Sequence, residues 1–65
     1  MTPSERAEAV IREKLVGMES GQALPPVREL AAEVGVSNAT VMKALRRLRE
    51  QGLVGSRPGW SVYKL

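Results

Sequence analysis

Residues Val27 to Arg46 have the sequence VRELAAEVGVSNATVMKALR, which predicts two short helices joined by a tight turn. In each half, apolar residues recur at the i, i+3, i+4 and i+7 positions that place side chains on one face of a helix. These residues are Val27, Leu30, Ala31 and Val34, then Val41, Ala44, Leu45 and Leu48. Between the halves, Gly35 can adopt the left-handed conformation that ends a helix, and Ser37 can cap the next helix.

Helices joined by so short a turn must cross steeply, and small or apolar residues lie where that crossing requires them. Ala31 allows the helices to approach closely, Gly35 makes the bend and Val41 fills the angle. This arrangement is typical of the DNA-binding helix-turn-helix, whose second helix enters the major groove. The stretch therefore predicts a DNA-binding domain.

The residues before this stretch predict a supporting helix over about 3–18. Thr2, Pro3 and Glu5 provide a capping-box start. An apolar stripe for the core follows at Ala7, Val10, Ile11, Leu15 and Met18. The charged residues expected to face solvent are Glu5, Glu8, Arg12 and Glu13.

The polar residues 19–23 predict a loop, after which Pro25 and Pro26 favour a second helix over about 26–34. The third helix is expected over about 38–51, with Gly52 as its stop. Residues 53–64 flank a Pro58-Gly59 turn signal and are rich in strand formers, so they predict a hairpin that packs on the helices. The predicted fold class is mostly α with a small β-hairpin: one winged helix-turn-helix domain over residues 1–65, with three helices and a two-stranded wing.

The composition argues against several classes of function. The chain has neither cysteine nor histidine, which excludes disulfides, thiolate metal sites and catalysis by these side chains. The spacing of the remaining polar residues indicates no base–nucleophile pair, so we predict a protein that is not an enzyme and uses no cofactor. A signal peptide and a membrane-spanning run are both absent from the sequence, and a soluble cytoplasmic protein is expected.

The charge is divided unevenly along the chain. Residues 1–34 carry four basic and six acidic side chains, a net charge of −2. Residues 35–65 carry six basic side chains against Glu50 alone, a net charge of +5. A basic half is expected of a polyanion-binding surface. The alternative is an ordinary solvated helix face rich in arginine, which the coinciding helix-turn-helix pattern disfavours.

The chain resembles the DNA-binding domain of GntR-family bacterial transcription regulators in LPPVRELAAEVGVSNATVMKALRRLREQGLV (24–54) and RPGWSVY (57–63). The corresponding family pattern is L-P-S-x-R-x-L-A, G-V-S-R-x-T-V-R-x-A-L and L-x-x-x-G-L-V. The resemblance implies a winged helix that binds palindromic operator DNA as a homodimer, joined through a separate C-terminal domain that senses a small molecule. The family usually has arginine at the positions of Asn38 and Met42, and glycine at that of Ser61.

The residues predicted to contact DNA are Arg28, Ser37, Asn38, Ala39, Thr40, Met42, Lys43, Arg46, Arg57 and Gly59. On helix three, Asn38 is suited to an adenine edge and Ala39 to a thymine methyl, whereas Lys43 and Arg46 are suited to guanine or phosphate. A plain solvated face is the alternative for these residues, and for Met42 it is the filling of a gap.

Ser37 and Thr40 can cap the helix, grip a phosphate, or do both. Arg28 matches a family arginine that contacts DNA, with an ion pair to Glu29 or Glu33 as the alternative. Arg57 and Gly59 are placed at the wing tip.

Trp60 is expected to pack the hairpin on the helices in preference to intercalating between bases. The expected function is transcriptional regulation, with repression by occlusion of a promoter. A winged helix used for protein–protein contact is the alternative.

Overall fold

A computed structural model of the chain describes residues 1–57 and 61–65. These residues form three helices followed by two short antiparallel strands. The elements are α1 Pro3–Val16, α2 Val27–Val34, α3 Asn38–Glu50, β1 Val54–Gly55 and β2 Tyr63–Lys64. The predicted fold class, three helices with a two-stranded wing, is confirmed. The turn expected at Pro58-Gly59 and the packing expected of Trp60 lie outside the described residues.

The predicted capping box begins α1. The backbone N–H of Thr2 donates to Glu5 Oε1 at 3.0 Å, and the N–H of Glu5 donates to Thr2 Oγ1 at 3.2 Å. The hydrogen bond from the Thr2 backbone to the Glu5 carboxylate, helped by the Thr2 side chain, lowers the pKa of Glu5 below its ordinary value. At its other end α1 stops at Val16, short of the predicted residue 18, because the N–H of Gly17 turns back to the carbonyl groups of the last turn.

The turn between α2 and α3 has the backbone that its sequence predicts. Gly35 adopts the left-handed conformation with φ 82° and ψ 39°. The N–H groups of Gly35 and Val36 both donate to the carbonyl oxygen of Ala31, at 2.8 and 3.0 Å. Ser37 then caps α3, because its Oγ accepts the N–H of Thr40 at 3.1 Å. The chain thus leaves one helix and enters the next with the N–H groups of Gly35, Val36 and Thr40 hydrogen-bonded.

Residues from all three helices and the wing build one core. The buried apolar residues in the described part of the chain are Ala7, Ile11, Leu15, Leu24, Leu30, Ala31, Val41, Ala44, Leu45, Leu48 and Val54. Val27 and Val34, which were expected in the apolar stripe of α2, are half-buried against it, as is Met18 after the end of α1. Val10 is also only half-buried. The apolar stripe of α3 is the most completely buried of the three.

Glu8 corrects the prediction that the charged residues of α1 face solvent, because only 8% of its surface is exposed. Its Oε1 accepts hydrogen bonds from Gln51 Nε2 at 2.9 Å and from Arg12 Nη2 at 3.3 Å. Its Oε2 lies 3.4 Å from Nε of Arg47. The packing of α1 along α3 covers this carboxylate and surrounds it with donors. Glu8 therefore links α1 to the C-terminal part of α3.

The loop before α2 pairs with strand β2 of the wing. Ala23 forms an isolated antiparallel bridge with Tyr63 of β2. The N–H of Leu24 donates to the carbonyl of Val62 at 2.8 Å, and the N–H of Lys64 donates to the carbonyl of Gln22 at 2.9 Å. β2 is therefore paired on both sides, with β1 and with this loop. The wing is thereby attached to the chain segment that leads into α2.

Gly35→Ala is expected to lower the free energy of unfolding by about 1–2 kcal/mol, the cost of a left-handed backbone for a residue with a Cβ. The added Cβ meets no atom of the described residues within 4 Å, so the change in stability reports backbone strain and no steric clash. Urea unfolding followed by circular dichroism gives the value. Gly17→Ala is the matched control because its φ is −89° and the change expected there is within about 0.5 kcal/mol. Equal effects of the two substitutions would contradict the assignment of strain to Gly35.

Glu8→Ala is expected to destabilise the fold by about 1–3 kcal/mol, because it removes two hydrogen bonds and an ion pair made by a nearly buried carboxylate. Thermal or urea unfolding measures this change. Glu13→Ala serves as control, since Glu13 is an exposed carboxylate of the same helix without a hydrogen-bond or ion-pair partner among the described residues. A loss for Glu8→Ala no greater than that for the control would show that the cluster contributes nothing to stability.

Candidate nucleic-acid interface

The side of α3 opposite its buried stripe is exposed and basic. Successive residues of a helix are about 100° apart, so Ala39, Lys43 and Arg46 lie on the side facing away from Val41, Ala44 and Leu48. We call these three residues the outer face of α3; all three are exposed. Asn38 is the first residue of the helix and is also exposed. The structure therefore brings four of the predicted DNA-contacting residues onto one accessible surface.

Some basic side chains of the domain pair with carboxylates among the described residues, and others do not. On the α1 side, Arg12 and Arg47 lie beside Glu8 at 3.3 and 3.4 Å, and Lys14 pairs with Glu33 at 2.9 Å. In the described part of the chain, Lys43 and Arg46 have no carboxylate within ion-pair distance. The positive charge of the outer face is thus left without a counterion from the described residues.

Arg28 also has no carboxylate partner among the residues that the structure describes. It is exposed on the first turn of α2, and no ion pair links it to Glu29 or Glu33 within the described residues. Glu33 is occupied by Lys14. The alternative interpretation of Arg28, a surface ion pair on its own helix, is therefore not observed. Its guanidinium remains available to a phosphate.

Ser37 and Thr40 act as the cap of α3. Besides the backbone hydrogen bond, their hydroxyl groups lie 2.9 Å apart and share a hydrogen bond. Ser37 is exposed and Thr40 half-buried. Capping leaves the first N–H groups of α3 pointing out of the helix end, where the partial positive charge of the helix dipole favours an anion. A phosphate contact by these two residues stays a prediction.

Met42 lies beside the outer face, on the side toward the wing, with 57% of its surface exposed. It lines a cleft of about 250 Å³ between α3 and the wing, together with Leu45, Val54 and Val62. Arg46 and Arg49 stand at the same cleft. Because the cleft remains open beside the methionine, filling a gap in the core does not describe its position.

The base of the wing holds Arg57 by an aromatic contact. The guanidinium carbon of Arg57 lies 5.0 Å from the centre of the Tyr63 ring, within the range of a cation–π interaction. A Cβ on Gly55 would lie 2.7 Å from Cζ and Oη of Tyr63, so the missing side chain makes room for the ring. Arg49 also donates to Ser56 Oγ at 3.2 Å, which ties α3 to the wing. Gly59, the other predicted wing contact, is outside the described residues.

Two of these contributors, Tyr63 and Ser56, were not among the predicted site residues. The pairing of Gly55 with Tyr63 places the tyrosine ring next to the chain that leads to Arg57. If the sequence had revealed which residues of the two strands pair, Tyr63 would have been predicted to lie beside this segment. A turn signal alone does not determine that pairing.

The described residues offer no sign of metal or membrane chemistry. Histidine, cysteine, aspartate and glutamate side chains form no group of three there that could hold a metal ion. Within the same residues, no helix is both long and apolar enough to cross a bilayer. The chemistry available at the surface is that of cations, hydroxyl groups, an amide and two apolar side chains. Such a set can bind a phosphodiester backbone and base edges.

A comparison with known protein families identifies the family to which the chain belongs. Residues 3–63 match the family model described as bacterial regulatory proteins, gntR family. The chain belongs to the GntR family. This family consists of DNA-binding transcription regulators with a winged helix, which agrees with the prediction that the chain is not an enzyme.

Relatives of this GntR domain are named as regulators. The HTH-type transcriptional regulator Mce2R of Mycobacterium tuberculosis is 45% identical over 58 residues, covering 88% of this chain and 24% of that protein. The putative L-lactate dehydrogenase operon regulatory protein of Escherichia coli is 37% identical over 60 residues, covering 92% of this chain and 22% of that protein. The chain thus spans about a quarter of the length of these curated relatives.

Solved structures show the same fold. A chain of the crystal structure of mutant ORR3 in complex with the NTD of AraR superposes with a TM-score of 0.93 at 25% identity, covering 100% of this chain and 96% of that one. The crystal structure of PhnF from Mycobacterium smegmatis gives a TM-score of 0.83 at 34% identity. That match covers 89% of this chain and 25% of PhnF.

Proposed function

We propose that this GntR domain binds a specific double-stranded operator, with α3 in the major groove, and represses transcription by occluding a promoter. The observation that carries the proposal is which basic side chains have carboxylate partners within the fold and which do not. Next to α1, Arg12, Lys14 and Arg47 have carboxylate partners. The outer face has two cations side by side, Lys43 and Arg46, and neither has a carboxylate partner among the described residues, a property that only Arg6 shares on α1. A cationic face without internal counterions attracts the phosphate backbone and releases the ions condensed on it.

The dimensions of α3 suit this placement. A helix with its side chains is about 10–12 Å across, and the major groove of B-DNA is about 12 Å wide. Residues at the N-terminal end of a recognition helix approach the base edges, which gives Asn38 and Ala39 that role here. Glu50, about 18 Å further along the helix axis at 1.5 Å per residue, ends the basic surface at the far end.

The remaining contacts are proposed for the phosphates on either side. Ser37 and Thr40 present their hydroxyl groups at the start of α3, and Arg28 extends this surface from α2. Arg57, held near Tyr63, and Gly59 are proposed to approach the adjacent groove or backbone. Such contacts fix the register of the protein on the duplex and leave sequence discrimination to α3.

The operator is proposed to be palindromic and bound by a homodimer, because two-fold symmetric half-sites match a two-fold symmetric protein. A separate C-terminal domain of the whole regulator is proposed to supply the dimer contact. Since the DNA in question is the bacterial chromosome, the cytoplasm is the proposed place of action. The names of the relatives, an HTH-type transcriptional regulator and a putative operon regulatory protein, support a role in transcriptional regulation.

A protein–protein interaction module is the alternative function, and the salt dependence of binding separates the two. Sites selected from random duplexes provide the DNA. The slope of log affinity against log salt is expected to be about −0.9 for every phosphate contacted. A preferred sequence with a steep slope supports operator binding. A flat slope without sequence preference would favour the protein-interaction alternative.

Lys43→Ala and Arg46→Ala are each expected to cost about 1–3 kcal/mol of binding to the selected site and to relax its sequence preference. Fluorescence anisotropy with matched and mismatched duplexes measures both effects. Lys14→Ala is the matched control, because it removes the same charge from a side chain that Glu33 already neutralises. Equal losses for all three variants would assign the effect to net charge and contradict a specific role for the outer face.

A further inference from the structure

The exposed side of α3 has two apolar residues among charged and polar ones. Ala39 and Met42 are both exposed, whereas the helix's other exposed positions are Asn38, Lys43, Arg46, Arg47, Arg49 and Glu50. Met42 exposes 57% of its surface, whereas the other large apolar residues of α3, Val41, Leu45 and Leu48, are buried. The proposed function explains the cations and the amide, but it gives no role to this methionine.

Ala39 and Met42 are neighbours on the helix surface. Residues three apart lie on adjacent turns, with Cβ atoms about 5–6 Å apart. Consecutive base pairs are stacked about 3.4 Å apart along the DNA axis, so the two side chains together span one or two base-pair steps. Lys43 and Arg46 border the pair on the outer face. The apolar pair therefore occupies the part of the surface that would meet base edges.

The major groove presents one apolar group of its own, the C5-methyl group of thymine. The polar groups along the base edges there are hydrogen-bond donors and acceptors, which an apolar side chain would desolvate without compensation. A cytosine carrying a methyl group at C5 presents the same apolar group at the same place. An exposed alanine and methionine are complementary to that methyl group, which is the bulkiest apolar group along the base edges of the groove.

The surroundings of Met42 support this role. Its side chain stands at the rim of the cleft lined by Leu45, Val54 and Val62, so apolar surface lies beside it. The unbranched thioether chain has three rotatable bonds and adapts to an irregular apolar surface. Met42 can therefore keep contact with this apolar surface while its end reaches outward to a base.

We infer that Ala39 and Met42 recognise C5-methyl groups of pyrimidines in the operator. This inference rests on the proposed function, since it requires α3 to lie in the major groove. It names a feature of the DNA: thymine, or 5-methylcytosine in its place, at one or two adjacent positions in each half-site. Binding to a site with cytosine at such a position then depends on whether that cytosine is methylated.

Deoxyuridine in place of thymine tests the inference, because it removes the methyl group and leaves every hydrogen-bonding group intact. The duplex selected for tight binding is prepared with each thymine replaced in turn. At one or two positions per half-site, the affinity of the unmodified protein is expected to fall about fourfold, the effect of one buried methyl-sized group. Replacing the thymine by cytosine at that position weakens binding, and 5-methylcytosine restores part of it.

Variants assign the effect to the two side chains. Met42→Ala and Ala39→Ser are expected to bind more weakly and to lose the response to deoxyuridine at the corresponding position. Lys43→Ala is the control, because it weakens binding but keeps the response. Circular dichroism verifies that each variant is folded, and the deoxyuridine scan of the unmodified protein stands without any variant.

The outcomes are distinct. Sequence-preferring binding without a deoxyuridine response at any position overturns the inference and leaves the proposed function intact. A response that persists unchanged in both Met42→Ala and Ala39→Ser also overturns it, because another residue then contacts the methyl group. Absence of duplex binding by the unmodified protein overturns the proposed function, and the inference with it.

Discussion

The burial of one side of α3 is the constraint on which the rest of the structure depends. Val41, Ala44 and Leu48 are fully buried, and Leu45 exposes 7% of its surface. This stripe packs against α1, α2 and β1, at roughly 1.5–3 kcal/mol for each fully buried larger side chain. A domain of this size has a thin core, so few other contacts fix the helix. Once the stripe is buried, the opposite side of α3 must face solvent.

Polar contacts on the two flanks of the stripe then fix the rotation of α3 about its own axis. On one flank Arg47 meets Glu8 of α1, and on the other Arg49 meets Ser56 of the wing. These arginines are engaged within the fold, which separates them from the cations of the outer face. The position of each basic residue around the axis of α3 therefore decides its role. Arg47 and Arg49 make contacts within the fold, whereas Lys43 and Arg46 face solvent.

The elements that depend on local rules were predictable from the sequence, and those that depend on distant partners were not. Helical periodicity gives the stripe of α3, and a glycine before a serine gives the turn at Gly35. Glu8 is covered and hydrogen-bonded to Gln51, which lies 43 residues away in the chain. No periodic pattern in the sequence predicts such a contact. The bridge at Ala23 is a single pair and has no strand pattern of its own. At the candidate site, the exposure of the cations followed from the helix, whereas the cleft beside Met42 required the wing in place.

The most direct test of the central claim is a titration of the isotope-labelled protein with a selected duplex, followed by amide chemical shifts in nuclear magnetic resonance. If the outer face of α3 is the DNA-binding surface, the largest shifts belong to residues 37–46, with further shifts at Arg28 and near Arg57. The exposed side of α1 around Glu13 then stays unchanged. Shifts concentrated on α1, with the amides of residues 37–46 unmoved, would contradict the claim.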